Sequence, residues 1–333
     1  MRIGYPQALL YYKYFPLWET FFTQLGAEVV VSGHTTKRIL SRGAVEAENE
    51  LCLPVKVFYG HLLELADKVE AIFVPRIISV EKTAFTCPKF LGLPDMAKTV
   101  DIELPPLIEP SIDLKEGTRR YLDMVFELGR QFTNSRVKIV RAYMAGVREL
   151  HRYHDRTAAG LTPLDVIDGK EPPPASGGLR IGVAGHPYNI YDKYISLNLI
   201  KKLREFGAEV VTSEMLPHGV TDREASTLPK HLFWTYEREV VGTVFHWSRR
   251  RAVDGIIYVV AFPCGADSLV QALIEHEMRA ENSKVPMMPL IIDEHSAEAG
   301  VLTRIEAFVD MLSRRKRLAS ASAAGPERRR SVG

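Results

Sequence analysis

Arg2-Ile3-Gly4 followed by YYKYFPLWETFFTQLGAEVVVS (residues 11–32), and Arg180-Ile181-Gly182 followed by IYDKYISLNLIKKLREFGAEVVTS (residues 190–213), state nearly the same pattern twice in one chain. Each copy reads as a short apolar strand, a helix with apolar residues at three- and four-residue spacing, a glycine where the helix must stop (Gly26, Gly207), and a β-branched strand. The echo continues downstream. Leu53-Pro54 and Leu228-Pro229 each introduce an amphipathic stretch, VKVFYGHLLELADK (55–68) and KHLFWTYEREVVGTVFHW (230–247), with proline suited to a first helical turn. Apolar runs of strand length follow, VEAIFVP (69–75) and VDGIIYV (253–259). Alternating strand and helix is the signature of a parallel sheet covered by helices. The expected fold is therefore α/β: two duplicated, doubly wound (Rossmann-like) parallel-sheet domains with a helical insert between them.

The insert shows in the stretch from Leu114 to His154, which contains no proline and carries helical periodicity in YLDMVFELGRQF (121–132) and VKIVRAYMAGVRELHRYH (137–154), the latter after a cap at Asn134 or Ser135. Its expected role is to pack the two domains together. Farther on, EPPPASGG (171–178) is too rich in Pro and Gly to continue any element. The expected organisation is an N-terminal α/β domain over 1–112, the insert over 113–170, a linker over 171–178, a C-terminal α/β domain over 179–312 and a disordered basic tail over 313–333.

Bulk composition narrows the function. Of 333 residues, 46% are hydrophobic and 25% charged, the balance of an ordinary globular protein with a sizeable core. No window reaches the roughly 18 uninterrupted apolar residues that a membrane-spanning helix needs, so no membrane is expected. The net charge of +2 hides an asymmetry, because residues 313–333 carry seven basic side chains against Glu327 alone, leaving the body at −4. That tail reads as solvated rather than as a nucleic-acid arm, and an acidic body gives no reason to expect a nucleic-acid partner.

The three cysteines each stand beside a proline where a loop meets a regular element: Glu-Leu-Cys52-Leu-Pro, Phe-Thr-Cys87-Pro-Lys and Phe-Pro-Cys264-Gly-Ala. A thiol kept for packing belongs inside an apolar run; these are presented. Their odd number, with an N-terminus MRIGYPQALL that lacks the charged and long apolar regions of a signal peptide, argues for reduced thiols and a cytoplasmic protein. In an open α/β sheet ligands gather beyond the carboxyl ends of the strands, and the reading above puts all three cysteines there, at or near helix N-termini where the macrodipole favours a thiolate. Zinc is disfavoured, since no close Cys or His pair accompanies them. An iron–sulfur cluster accepts ligands from distant loops and is tuned by hydrogen bonds to its sulfurs; three thiolates on a four-iron cluster would leave one iron open to substrate, water or an external thiolate. Two other readings stand beside this one: unrelated structural thiols, and a nucleophilic cysteine with His61, His186 or His295 as base.

Other residues are candidates on position alone. His186, in Gly185-His186-Pro187-Tyr188-Asn189, follows the first strand of the second copy and either donates to a cluster, acts on a substrate or merely satisfies local backbone groups. Asp293-Glu294-His295 and Glu298 follow the last strand, where the carboxylates either hold a substrate or cap the next helix. Arg76 and Lys89 flank the Cys87 loop and suit an anion or plain solvation. Neither G-x-x-x-x-G-K-[ST] nor G-x-G-x-x-G follows any strand, so ATP hydrolysis by this chain is not expected.

Taken together, ENELCLPVK (48–56), FVPRIISVEKTAFTCPKFLGLPDM (73–96), GHPYNIYDKY (185–194), FPCGADSL (262–269) and IDEHSAEAG with TRIEAFVDML (292–312) resemble the acyl-CoA dehydratase activase-related proteins, the CoA enzyme activase uncharacterised-domain family, themselves similar to 2-hydroxyacyl-CoA dehydratase subunits. The likeness covers nearly the whole chain except the tail. It implies a [4Fe-4S] cluster held by Cys52, Cys87 and Cys264 in the cleft between the domains, with a double-cubane cluster as the other form known among such relatives; His186, from its position in the chain, is the candidate for a residue behind the ligands. It implies a separate ATP-dependent activator as partner, which supplies low-potential electrons for a small substrate or a partner enzyme. The dehydratases pass that electron to a 2-hydroxyacyl-CoA thioester, from which water leaves through a ketyl radical, so a lyase subunit is the alternative and an acyl-CoA the substrate it would take. The third reading is a scaffold without catalysis. A dimer is expected from the paired subunits of the dehydratases.

Overall fold

The computed structural model describes residues 1–171, 178–217 and 219–323, the last three by their backbone alone. The N-terminal part runs β1 (Arg2–Tyr5), α1 (Tyr11–Gln24), β2 (Glu28–Val31), α2 (Lys37–Glu46), α3 (Leu53–Leu65), β3 (Ala71–Phe73), β4 (Arg76–Ser79), α4 (Pro88–Leu91), α5 (Leu93–Ala97), β5 (Leu107–Ile108) and β6 (Ser111–Asp113). The middle is helical: α6 (Thr118–Arg130), α7 (Arg136–Ala158) and α8 (Pro163–Ile167). The C-terminal part runs β7 (Arg180–Gly185), α9 (Pro187–Ile190), α10 (Leu199–Glu205), β8 (Glu209–Thr212), a 3-10 turn over Ser213–Met215, α11 (Val220–Ala225), α12 (Thr235–Arg250), β9 (Gly255–Ala261), α13 (Gly265–Ala280), β10 (Met287–Ile292) and α14 (Glu298–Ala323).

The duplication holds at the level of topology. One four-stranded sheet has the order β2-β1-β3-β5 and the other β8-β7-β9-β10, so in each the first strand lies between the second and third and the fourth strand is outermost. Every pairing in both sheets is parallel, with Ile3 opposite Val29 in one and Ile181 opposite Val210 in the other. The helices leading to the second strands stop by the same device. Gly26 (φ 87°) and Gly207 (φ 75°) take the left-handed conformation that glycine adopts without a Cβ penalty. Beyond them, the Ala27 and Ala208 N–H groups donate back to the Phe22 and Leu203 carbonyls, each at 3.0 Å.

Helices cover both faces of the C-terminal sheet. Val241, Val244 and Trp247 of α12 and Ile274 of α13 pack one face over Ile256 and Tyr258. The other face, with Ile181, Val183 and Ile257, takes Leu203 of α10 and Ile305 and Leu312 of α14, and its core runs on without a break into Phe21, Phe22, Leu62 and Ile72 of the N-terminal part. The insert reinforces this union: α7 lies along α1, with the Tyr153 hydroxyl donating to the Tyr12 carbonyl at 2.5 Å. Ser135 caps α7 by accepting from the Lys138 N–H.

Two local expectations need correction. The second amphipathic stretch becomes helical only at Thr235, because residues 233–235 are drawn out against the Cys87 loop: the Phe85 N–H donates to the Phe233 carbonyl at 3.1 Å and the Thr235 N–H to the Phe85 carbonyl at 2.9 Å. The basic segment beyond Leu312 was expected as a solvated tail, yet α14 continues through it to Ala323. Arg and Lys are good helix formers, and here they also find partners, Arg315 on the Lys284 carbonyl at 2.8 Å and Lys316 on Asp254 at 3.2 Å. The rest of the tail, 324–333, and the linker interior, 172–177, lie outside the described residues. No described helix is long and apolar enough to cross a membrane.

Candidate functional site

In a strand–helix–strand unit the connecting helix runs back along the sheet, so its first turn lies at the carboxyl edge. α3 leads into β3 and α13 into β10, which puts their caps, Cys52 and Cys264, on that edge. The two are tied across the domains by the Leu53 N–H, which donates to the Phe262 carbonyl at 3.1 Å. Cys87 caps α4. The Phe85–Phe233 hydrogen bonds already described and the Thr86 hydroxyl, donating to the Ile77 carbonyl at 2.5 Å, fix its loop.

The three half-buried thiols share one environment. Cys264 Sγ accepts from the Asp267 N–H at 3.5 Å, whereas Cys52 and Cys87 make no such cap hydrogen bond. Burial raises the Cys52 thiol, pushes Cys87 up to about 11 and raises Cys264 furthest, because a buried thiolate loses its hydration. Beyond burial, Glu237 and then Cys52 raise the Cys87 thiol, and Asp267 and then Cys52 raise that of Cys264. Without a cation among them, three thiolates are disfavoured; a bound cationic centre would reverse that preference.

Behind the thiols is a buried polar layer. His186, 1% exposed, has its Nε2 3.2 Å from Asp267 Oδ1 and 3.8 Å from Glu237 Oε1. Burial works against its charge, but Asp267 first and then Glu237 outweigh it and push the imidazole up to about 9. The Tyr258 hydroxyl donates to Asp267 Oδ1 at 2.8 Å. The Tyr188 ring stacks on His186 with centroids 5.0 Å apart, and burial, Asp267 and Cys264 keep its phenol protonated. The layer is not saturated: both ring nitrogens of His186, Glu237 Oε2 and Asp267 Oδ2 are buried without hydrogen-bond partners.

The other sequence candidates fall elsewhere. His61 is nine residues beyond Cys52 on α3, about 14 Å along the axis. Its ring is held by Ser32 at 2.8 Å and Thr35 at 2.9 Å, and burial lowers its pKa to about 4. It is not placed to serve a thiol as base. His295 is exposed, and Asp293 makes a local turn, accepting from the His295 N–H at 2.9 Å and the Ser296 hydroxyl at 2.8 Å. Glu294 accepts at 2.5 Å from Lys56, a 5%-exposed residue one turn into α3, which makes the pair an interdomain clasp beside Cys52. Glu298 pairs with Lys202 at 2.6 Å. Arg76 grips Asp95 and the Leu91 carbonyl, each at 2.7 Å, and so straps α4 in place. Sequence reasoning missed Glu237 and Asp267 as members of the site. Asp267 had a signal, three residues after Cys264 in a first helical turn; Glu237 had none.

Comparison with known proteins gives one result. A family model described as the CoA enzyme activase uncharacterised domain (DUF2229) matches residues 2–216, or 215 of the 333 residues, taking in Cys52, Cys87 and His186 and ending before Glu237, Cys264 and Asp267. No curated protein matches the chain.

Proposed function

The chain belongs to this family, and on that premise we infer that Cys52, Cys87 and Cys264 hold a [4Fe-4S] cluster between the two domains, and that the protein takes low-potential electrons from an ATP-dependent activator and passes them to a small substrate or a partner enzyme. What supports this reading is that three cysteines from separate parts of the chain each stand at the N-cap of a helix, where backbone N–H donors are free, and that the charge of Cys52 bears on both of the others. Such donors lower the cost of the negative sulfurs and tune a cluster's potential. Among the described residues no three His, Cys, Asp or Glu side chains are close enough to share one metal ion.

When bound, the cluster would supply one-electron chemistry, with one iron lacking a protein thiolate. The chain's own residues do the rest. Tyr188 stacks on His186, and His186 stands between Glu237 and Asp267, the residue whose N–H meets Cys264. The placing of this imidazole between two carboxylates, 3.2 Å from Asp267 and 3.8 Å from Glu237, favours a second reading, a lyase that removes water from a 2-hydroxyacyl-CoA, since a departing hydroxide must be protonated. Anaerobic purification and reconstitution test the first reading: brown protein with about four iron and four sulfide per chain is expected, and an iron-free product that Cys52→Ala leaves unchanged in stability would overturn it. Turnover of hydroxyacyl-CoA thioesters with an activator, ATP and a reductant tests the second; no elimination across several acyl groups would dismiss it.

A further inference from the structure

Each doubly wound sheet has one place where successive crossovers leave in opposite directions, and a crevice opens there beyond the strand ends. In the C-terminal sheet it lies between β7 and β9, whose exits carry His186 and Cys264. In the N-terminal sheet it lies between β1 and β3, and there the structure has a separate cavity of about 40 Å³. The exits of those two strands wall it, from Tyr5 and Pro6 on one side and from Phe73 to Pro75 on the other. Trp18 of α1, Phe58 of α3 and Phe90 of α4 are part of the lining.

No charged side chain lines this space. A cavity holds water where it offers two to four polar partners, whereas an apolar one stays dry and takes hydrocarbon. Polar groups are sparse here. The Tyr14 hydroxyl is already engaged with that of Tyr236 at 3.2 Å. Tyr5, which ends β1 and is 7% exposed, finds no hydrogen-bond partner for its hydroxyl among the described residues. That hydroxyl is within electrostatic reach of Tyr11 and Tyr14, which line the same space, and burial keeps it protonated. The loop between β1 and α1 is also strained, since Leu9, another lining residue, is held at φ 53°, a conformation that a bulky side chain seldom adopts.

We propose that this crevice binds a short neutral aliphatic group of one to three carbons, with an oxygen bonded to the Tyr5 hydroxyl. The volume sets the size, since a single water needs roughly 10 to 15 Å³ of such space. The lining sets the class, because an ion would lose its hydration here and meet no counter-charge. The group belongs either to a free alcohol or to a short acyl chain. Phe90 connects the cavity to the thiol site: Cys87 caps its helix, and its ring lies 6.1 Å from that of Tyr188, which stacks on His186. The inference does not depend on the cluster.

Methyl-resolved NMR of the full chain, titrated with 1-propanol and with propionyl-CoA, tests it; propionate and propylammonium are the charged controls. Saturable shifts are expected at the lining methyls of Leu9, Leu10, Val74, Ile77 and Leu93, with a Kd on the order of 1 mM for the alcohol. The charged controls should leave these methyls unmoved. Tyr5→Phe, which removes only the hydroxyl, should weaken binding about three- to tenfold, and Ala8→Leu, which fills the space from its wall, should abolish it. Unmoved methyls of Val241 and Val244, in the core of the other domain, check that both variants fold. If propionyl-CoA shifts the same methyls, the site takes an acyl chain; if 1-propanol alone does so, it takes a free alcohol. No saturable shift by either, equal shifts by propionate, or unchanged affinity in both variants would overturn the proposal.

Discussion

Substituting Asp165 by Asn should loosen the helical insert from the C-terminal domain in a way that fades with acid. Asp165 closes a capping box at the start of α8, accepting from the Thr162 N–H at 3.0 Å and hydroxyl at 2.6 Å, and it takes a bidentate pair from Arg204 of α10 at 2.9 and 2.6 Å. Its side chain is 3% exposed. Burial alone would raise the carboxyl, but Arg204 and Thr162 more than reverse that and hold it at about 2, against an ordinary 3.8. A carboxyl with a depressed folded pKa stabilises fully above its unfolded value, and the gain is lost as pH falls through the folded one. The difference amounts to about 2 kcal/mol at pH 7, about half of which remains at pH 3. Asp165→Asn should therefore cost about 2 kcal/mol at neutral pH, or roughly 3 °C in Tm for a chain of this size, and about half as much at pH 3. Urea unfolding between pH 7 and pH 3 reads this directly, and in a double-mutant cycle with Arg204→Met the two losses should fall short of adding. A penalty equal at both ends of the range, or losses that simply add, would refute the coupling.

Gly182→Ala should cost about 1–3 kcal/mol by overpacking, because its Cβ would come within 2.5 Å of the buried Trp247 ring; an unchanged unfolding midpoint would count against the packing described. His61 should remain neutral until about pH 4, read from its imidazole proton shifts, and a midpoint near 6.5 would mean that the Ser32 and Thr35 contacts are not kept in solution. Lys56→Met should destabilise by about 1–2 kcal/mol, a partial loss because Glu294 keeps 21% exposure and some hydration; if Glu294→Gln costs nothing in the same unfolding assay, the interdomain clasp is idle.

The fold was legible because its signals are local and repeated. Two helices with the same Gly-Ala-Glu exit, Gly26 and Gly207, precede strands with the same parallel register, and that periodicity needs no knowledge of the partner strand. Where tertiary contact overrides propensity the reading slipped, as at Phe233 and Trp234, whose backbone is claimed by Phe85 instead of by α12. Arg315 and Lys316 likewise looked like solvated charge, and only the folded edge of the C-terminal sheet supplies their acceptors. For the site, the prolines beside Cys52 and Cys87 marked helix starts, and the structure has those two cysteines and Cys264 as caps. Glu237 escaped notice since nothing near it in sequence shows that it will face His186 across 51 residues of chain. Arg76 and Glu294 misled in the opposite sense: charges beside a candidate site turned out to be neutralised by Asp95 and Lys56.

The most direct test of the central claim is thiol protection in the reconstituted protein, followed by iodoacetamide labelling and mass spectrometry under anaerobic conditions. If one cluster is held jointly, Cys52, Cys87 and Cys264 should all resist labelling while iron is bound and become reactive together when a chelator removes it, and any single Cys→Ser variant should expose the remaining two. Full labelling of one of the three while iron and sulfide stay bound would contradict a shared centre.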